Sequence, residues 1–166
     1  MSSSVRVQRR IGFWGAYVIV LVGCALVGCV HPANQIRQDD PAYGHRWHAS
    51  LVTPAPLEGV AQVSGDANWG PGSGTASVAH LRLANAVPGG VHPWAIHQGQ
   101  CGNDQGVVAS RDRYPPLIVG HDGVGTQAVT LPVALPLDGQ YFVSVQASKD
   151  NIGTIYACGN LSPPVR

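Results

Sequence analysis

The stretch that decides the fold reads V-H-P-W-A-I-H-Q-G-Q-C-G and occupies residues 91–102. Its pattern suits a β-strand, in which successive side chains point to opposite faces. Trp94 and Ile96 then face the core, while Ala95 and His97 share the other face. Two histidines spaced by two residues would present both imidazoles on one side for metal binding. Because alanine holds the first of these places, the chelating pair is incomplete.

The composition predicts one all-β domain. The chain has 166 residues, of which 45% are hydrophobic and 11% charged, enough for a single core. Its 21 glycines and 13 prolines favour turns between short alternating runs, as in an antiparallel β-sandwich. The formal net charge is +1, and no lysine and arginine cluster stands beside aromatic residues. Nucleic acid is therefore not expected as a partner.

Local patterns predict the elements of this sandwich. Strands are expected at 47–52, 59–63, 75–83, 91–97, 127–133, 141–147 and 152–157, with a glycine-rich turn at 68–74 that exposes Trp69. The Asp-Gly pair within 137–140 predicts a hairpin-type turn. The segment after Cys101 is expected to be a loop, and 114–125 is expected to be irregular.

The N-terminal segment has the pattern of an export signal. Arg9 and Arg10 precede an apolar run over 11–30. The run contains L-V-G-C twice, ending at Cys24 and at Cys29, and this resembles the lipobox of bacterial lipoproteins, whose cysteine is acylated. Cys29 is the preferred site because polar residues follow it, with Cys24 as the alternative. An uncleaved membrane anchor is a further interpretation, since the run nearly suffices to span a bilayer.

These patterns predict four parts: a signal at 1–29, a flexible tether at 30–46, a β-sandwich at 47–161 and a tail at 162–166. The expected localisation is the bacterial cell envelope, on its periplasmic or extracellular side, with the membrane as partner through the lipid anchor. Cys101 and Cys158 are the cysteines that remain in the mature domain. Because exported chains enter an oxidising compartment, these two are expected to form a disulfide.

A family resemblance rests on residues 91–102 together with Y-F-V-S-V-Q-A-S-K-D-N-I-G-T-I-Y-A-C-G-N-L at 141–161. Both segments resemble the copper–zinc superoxide dismutase-like domains, and more closely their small exported relatives. The resemblance implies an eight-stranded Greek-key β-sandwich, described equally as superoxide dismutase-like or immunoglobulin-like. It also implies a disulfide from a loop to the last strand, and Cys101 and Cys158 match that bridge.

The resemblance also shows which metal ligands this chain lacks. Two copper-ligand positions of the family fall on Ala95 and His97, and a late-strand position falls on Gln146. The intervening loop offers only His121, so the family's zinc set is incomplete as well. Copper favours imidazole ligands in a fixed geometry, and alanine cannot bind a metal. The chain is therefore expected to hold no cofactor, to have no catalytic residues and to serve a binding or structural role.

Two alternatives remain open at this stage. One is a residual copper- or zinc-binding protein with superoxide dismutase-type activity, in which His97 acts with His92 or His121. On a regular strand His92 faces away from His97, unless Pro93 bulges the strand. The other alternative is a CHRD-like interaction domain.

Overall fold

A computed structural model describes residues 45–164, and this part of the chain is an all-β antiparallel fold. The predicted signal segment, Cys24, Cys29 and residues 30–44 of the predicted tether lie outside the described residues. The strands are β1 Trp47–Val52, β2 Ser64–Pro71, β3 Ser77–Ala84, β4 Val91–His92, β5 Trp94–Gln100, β6 Asn103–Val107, β7 Leu117–Ile118, β8 Gly125–Leu131, β9 Tyr141–Ser148 and β10 Asn151–Leu161. Short 3-10 turns occur at Ala55–Leu57 and Arg111–Arg113.

Eight of these strands form one sheet with Greek-key crossovers. The order is β6-β5-β9-β10-β1-β2-β3-β8, and β4 pairs with β7 in a separate two-stranded ribbon. The chain crosses from β3 to β5, from β6 to β8 and from β8 to β9 before it pairs again. Long returns of this kind, which place a strand beside an earlier one, define Greek-key connections.

The sheet is curled, as contacts between side chains on distant strands show. Trp69 of β2 and Tyr141 of β9 have ring centroids 5.3 Å apart, although β10 and β1 lie between their strands. Three strand spacings would separate them by roughly 14 Å in a flat sheet. Trp47 contacts both rings, at 6.5 Å from Trp69 and 5.2 Å from Tyr141. The predicted all-β antiparallel class is confirmed.

Alternating patterns predict the inner face correctly where one face of a strand is solvated. In β3 every second residue is buried, from Ser77 through Ala79 and Leu81 to Leu83. In β1 Trp47 and Leu51 are buried as well, and this strand has the predicted bounds. Trp94 and Ile96 also belong to the core, as expected.

The glycine-rich turn predicted at 68–74 is confirmed only after residue 71 and is wrong for 68–71, and the strand predicted at 59–63 is wrong. Residues 68–71 belong to β2, and Trp69 is 1% exposed, with its Nε1 donating to Ser77 Oγ at 2.8 Å. The backbone of Gly70 packs against the Arg46 side chain, and a Cβ there would lie 2.6 Å from Arg46 Nη1. Pairing with β1 and β3 overrides the turn propensity of residues 68–71.

The strand predicted at 91–97 is broken at Pro93. The two residues before it form β4 and pair with β7, whereas β5 begins at Trp94 and continues to Gln100 between β6 and β9. Proline has no N–H with which to continue the strand pairing. Its carbonyl oxygen still accepts a hydrogen bond from the backbone N–H of Gln146 at 2.8 Å.

Four other local predictions are also corrected. Residues 137–140 do not join a hairpin, because β8 pairs with β3 while β9 pairs with β5 and β10. The segment after Cys101 forms strand β6, and the region 114–125 contains β7. The last strand extends to Leu161. Strand β7 pairs with the sequence-distant β4 and β10 with the sequence-distant β1, whereas β6 pairs with its neighbour β5.

The disulfide joins Cys101, in the turn between β5 and β6, to Cys158 of β10. The Cys101 amide donates to Asn160 Oδ1 at 2.8 Å, so a hydrogen bond supports the bridge. Within residues 45–164, no helix has the length and apolar character required to cross a bilayer.

Candidate functional site

The candidate site lies where β5 and β9 run antiparallel. Ala95 pairs with Ser144, and His97 pairs with Phe142. Side-chain alternation places these four residues and Gln146 on one face of the two strands. All five are buried, with Ala95 1% and His97 2% exposed. The Ala95 methyl group and the Gln146 carboxamide thus lie on the same face as His97. These are the two positions at which the family resemblance predicts missing metal ligands.

Strand β6 adds a carboxylate to this face. Gly99 has a φ of 100°, and a Cβ there would collide with the carbonyl oxygen of Asn103. Only glycine therefore permits this close approach of β5 and β6. The register shifts between His97 and Gly99, and Gly99 then pairs with Asp104. The irregularity brings the Asp104 carboxylate to the His97 ring.

A continuous hydrogen-bond chain connects the buried side chains of Gln146, Ser144 and His97 to the half-exposed carboxylate of Asp104. His97 Nδ1 lies 2.9 Å from Asp104 Oδ1, and His97 Nε2 lies 2.9 Å from Ser144 Oγ. Gln146 Nε2 donates to the same hydroxyl oxygen at 2.8 Å. An ionised carboxylate only accepts, so Nδ1 carries the proton and donates to Asp104. In the neutral ring Nε2 then accepts from the Ser144 hydroxyl.

The electrostatics of Asp104 favour its ionised form. Burial by itself raises the pKa of this carboxyl, but hydrogen bonds from the Gly106 amide and His97 outweigh burial, and the net pKa is lowered. The Gly106 N–H lies 2.8 Å from the same Oδ1 that contacts His97. A charged acceptor therefore holds the imidazole in one tautomer and one orientation.

The order Ser144, His97, Asp104 is that of a nucleophile, a base and an orienting acid. Such a nucleophile must reach a substrate, however, and Ser144 is 1% exposed. Its hydroxyl oxygen also accepts a hydrogen bond from the side-chain amide of Gln146. The arrangement is therefore a polar link between β5, β6 and β9, which is buried at His97 and Ser144 and reaches the surface at Asp104. Sequence reasoning missed Ser144 and Asp104; the alternation around Gln146 could have indicated Ser144, but nothing local indicates Asp104.

His92 lies in the ribbon, on β4. Its ring stacks on Tyr156 with centroids 4.6 Å apart, and its Nδ1 lies 3.0 Å from the backbone carbonyl oxygen of Gln146. His97 instead stacks on Phe142, at 4.9 Å. Two buried acceptor atoms, His92 Nε2 and Gln146 Oε1, have no hydrogen-bond partner among the described residues.

The third candidate ligand, His121, is exposed in the turn before β8. Among residues 45–164 no group of three or more histidine, cysteine, aspartate or glutamate side chains is arranged to hold a metal ion. The structure thus joins His97 to Asp104 and Ser144, and it does not gather the three histidines into a cluster.

Comparisons with known proteins do not assign this chain to a family. No protein-family model matches it, and no curated protein matches it significantly.

Proposed function

We propose that this chain is an exported, lipid-anchored β-sandwich protein of the bacterial cell envelope. Its domain is related in fold to the copper–zinc superoxide dismutase-like domains, has no dismutase activity and serves a binding or structural role. The Greek-key order of eight strands and the bridge from Cys101 to β10 support the relationship in fold.

The proposal that this domain has no dismutase activity rests on the hydrogen bonding of His97. Imidazole binds a metal through a ring nitrogen lone pair, and both His97 nitrogens are engaged, one by Asp104 and one by Ser144. Ala95 presents a methyl group, and the Gln146 amide nitrogen is directed to Ser144. A copper ion at this face would break the hydrogen bond at Nε2 and would find no second imidazole beside it.

Metal content is the direct test. The full chain is purified after growth with added copper and zinc, then assayed by elemental mass spectrometry and for superoxide consumption. We expect substoichiometric metal and no superoxide consumption above that of metal-free buffer. Tightly held copper in stoichiometric amount, together with superoxide consumption, would refute the proposal.

A restored-ligand variant sharpens this test. Ala95→His with Gln146→His returns imidazoles to both missing positions beside His97, and it should retain more copper than the parent. The matched control is Ala95→Gln with Gln146→Asn, which adds side-chain bulk at position 95 without any imidazole. Equal copper retention by the two variants would show that this face is not related to a metal site.

The lipid anchor is tested separately by labelling with a radioactive fatty acid. We expect label in the parent and in Cys24→Ala, and none in Cys29→Ala. Label that is undiminished in Cys29→Ala would reject Cys29 as the acylated residue.

A further inference from the structure

An apolar groove of about 540 Å³ lies at one end of the sandwich. The described residues of its walls include His45, Pro71, Ala134, Leu135, Leu137 and Pro164, and no aspartate, glutamate, lysine or arginine is among the described lining residues. Leu137, on the crossover from β8 to β9, is 70% exposed. This volume lies within the range of small-molecule and lipid pockets, and its lining suits an apolar occupant.

Strand register identifies which end of the sheet this is. Trp47 at the start of β1 pairs with Trp69, and Pro71 at the end of β2 pairs with Ser77. Ser77 in turn pairs with Leu131, the last residue of β8. The groove loops therefore leave from the end of the sheet at which the described chain enters β1.

The opposite end of the sheet has its own exposed apolar residues. There Leu83 of β3 pairs with Gly125 of β8, which also bridges to Val119 beside the ribbon. Ile118 of the ribbon is 64% exposed, close to the exposure of Leu137. The two ends thus present similar apolar side chains, and only the groove end adjoins the segment that leads to the proposed anchor.

We infer that the groove end of the sandwich docks on the lipid bilayer, with Leu137 and its neighbours entering the boundary between headgroups and acyl chains. This inference rests on the proposed lipid anchor. Fifteen residues separate Cys29 from His45, and even a fully extended segment of that length spans at most about 55 Å. His45 itself lines the groove, so acylation would hold this surface near the membrane.

Once the acyl anchor is inserted, the contact between the groove and the bilayer is effectively intramolecular, which favours its formation. A tethered site meets its target at a high effective concentration, so a contact too weak to bind alone becomes occupied. The described lining can enter the interface without burying an aspartate, glutamate, lysine or arginine side chain, whereas a lining of such residues would carry a desolvation cost. Docking would fix the orientation of the domain and present the ribbon end away from the bilayer.

The test places a fluorescent probe at each end of the full acylated chain. An environment-sensitive dye is attached to Asp138→Cys, beside Leu137, or to His121→Cys, beside the ribbon. Vesicles of phosphatidylethanolamine and phosphatidylglycerol carry doxyl-labelled lipids as quenchers. We expect a blue shift and quenching at position 138, neither effect at position 121, and loss of both when Leu137→Asn is added. Because Leu137 is largely exposed, this substitution leaves the core intact.

Each other outcome has a defined meaning. A chain that is acylated and bound to vesicles but shows no quenching at position 138, or equal quenching at both positions, overturns the inference and leaves the anchor intact. A blue shift at 138 without vesicles that grows with protein concentration overturns it in favour of a second copy of the chain. Selective quenching at 138 in Cys29→Ala that carries no fatty-acid label supports the docking surface and shows that the groove binds the bilayer without the anchor.

Discussion

The replacement Ser144→Ala tests the buried polar link most directly. The hydroxyl donates to His97 Nε2 and accepts from Gln146 Nε2. Alanine leaves both nitrogen atoms without that partner, in side chains that are 2% and 4% exposed. A buried polar group without a partner costs about 1–3 kcal/mol, so two such groups should lower the free energy of unfolding by about 2–6 kcal/mol.

Urea unfolding of the oxidised protein at neutral pH measures this change. Ser148→Ala is the matched control: it lies four residues along the same strand, and its hydroxyl accepts only an exposed hydrogen bond from the Asn151 amide. We expect a change within about 0.5 kcal/mol for the control. A loss below about 1 kcal/mol for Ser144→Ala would contradict the assigned hydrogen-bond chain.

The double variant Ser144→Ala with Gln146→Leu separates the cost of leaving the Gln146 amide without a partner from the cost at His97. Replacing both polar partners by apolar groups of similar shape can be nearly neutral. The double variant should therefore be less destabilised than the sum of the single variants, and additive effects would show that the amide and hydroxyl do not depend on each other. Long-range proton–nitrogen spectra of His97 should also show the Nδ1-protonated tautomer in the parent.

Three further outcomes are expected. Replacing Cys101 and Cys158 by serine removes a bridge of sequence separation 57 and should cost about 4 kcal/mol; an unchanged urea midpoint would argue that the bridge adds no stability. Trp69→Ala should cost about 3–5 kcal/mol because the ring is buried, whereas the exposed Val60→Ala should be nearly neutral. Burial first, and then the charge of Arg46, lower the pKa of His80 below 6.5. The stability contributed by neutral His80 is therefore present above that value and is lost as the pH falls through the lower folded-state pKa. His80→Gln should lose less stability than the parent when unfolding is compared at about pH 7 and about pH 5, and an equal loss would exclude His80 as the group.

The sequence predicts best the strands that are buried on one face and solvated on the other. Strand β3 alternates between buried and partly exposed residues over its whole length, and β1 does so through Trp47 and Leu51. A period of two is a local property, so the sequence reveals it directly. Strands β5 and β9 are buried on both faces, and for them alternation could not tell which side would be solvated.

Turn propensity misled where tertiary contacts outweigh it. The run at 68–74 has the composition of a turn, yet its first four residues pair with β3, and the first two of them also pair with β1. The Asp-Gly pair at 138–139 suits a hairpin, yet β8 and β9 find other partners. Local preferences amount to about 1 kcal/mol, which several ladder hydrogen bonds and a buried tryptophan exceed.

The sequence by itself determined the all-β class, the inner faces of the one-sided strands and the pair of cysteines that forms the bridge. Only the tertiary structure decided that Asp104 and Ser144 hold the two nitrogens of His97, and that the groove shares an end with His45. The reason is that a residue's type and periodicity are local, whereas partner choice depends on strand register and crossovers. A one-residue shift of β6 at Gly99 would separate Asp104 from the ring without altering any local pattern.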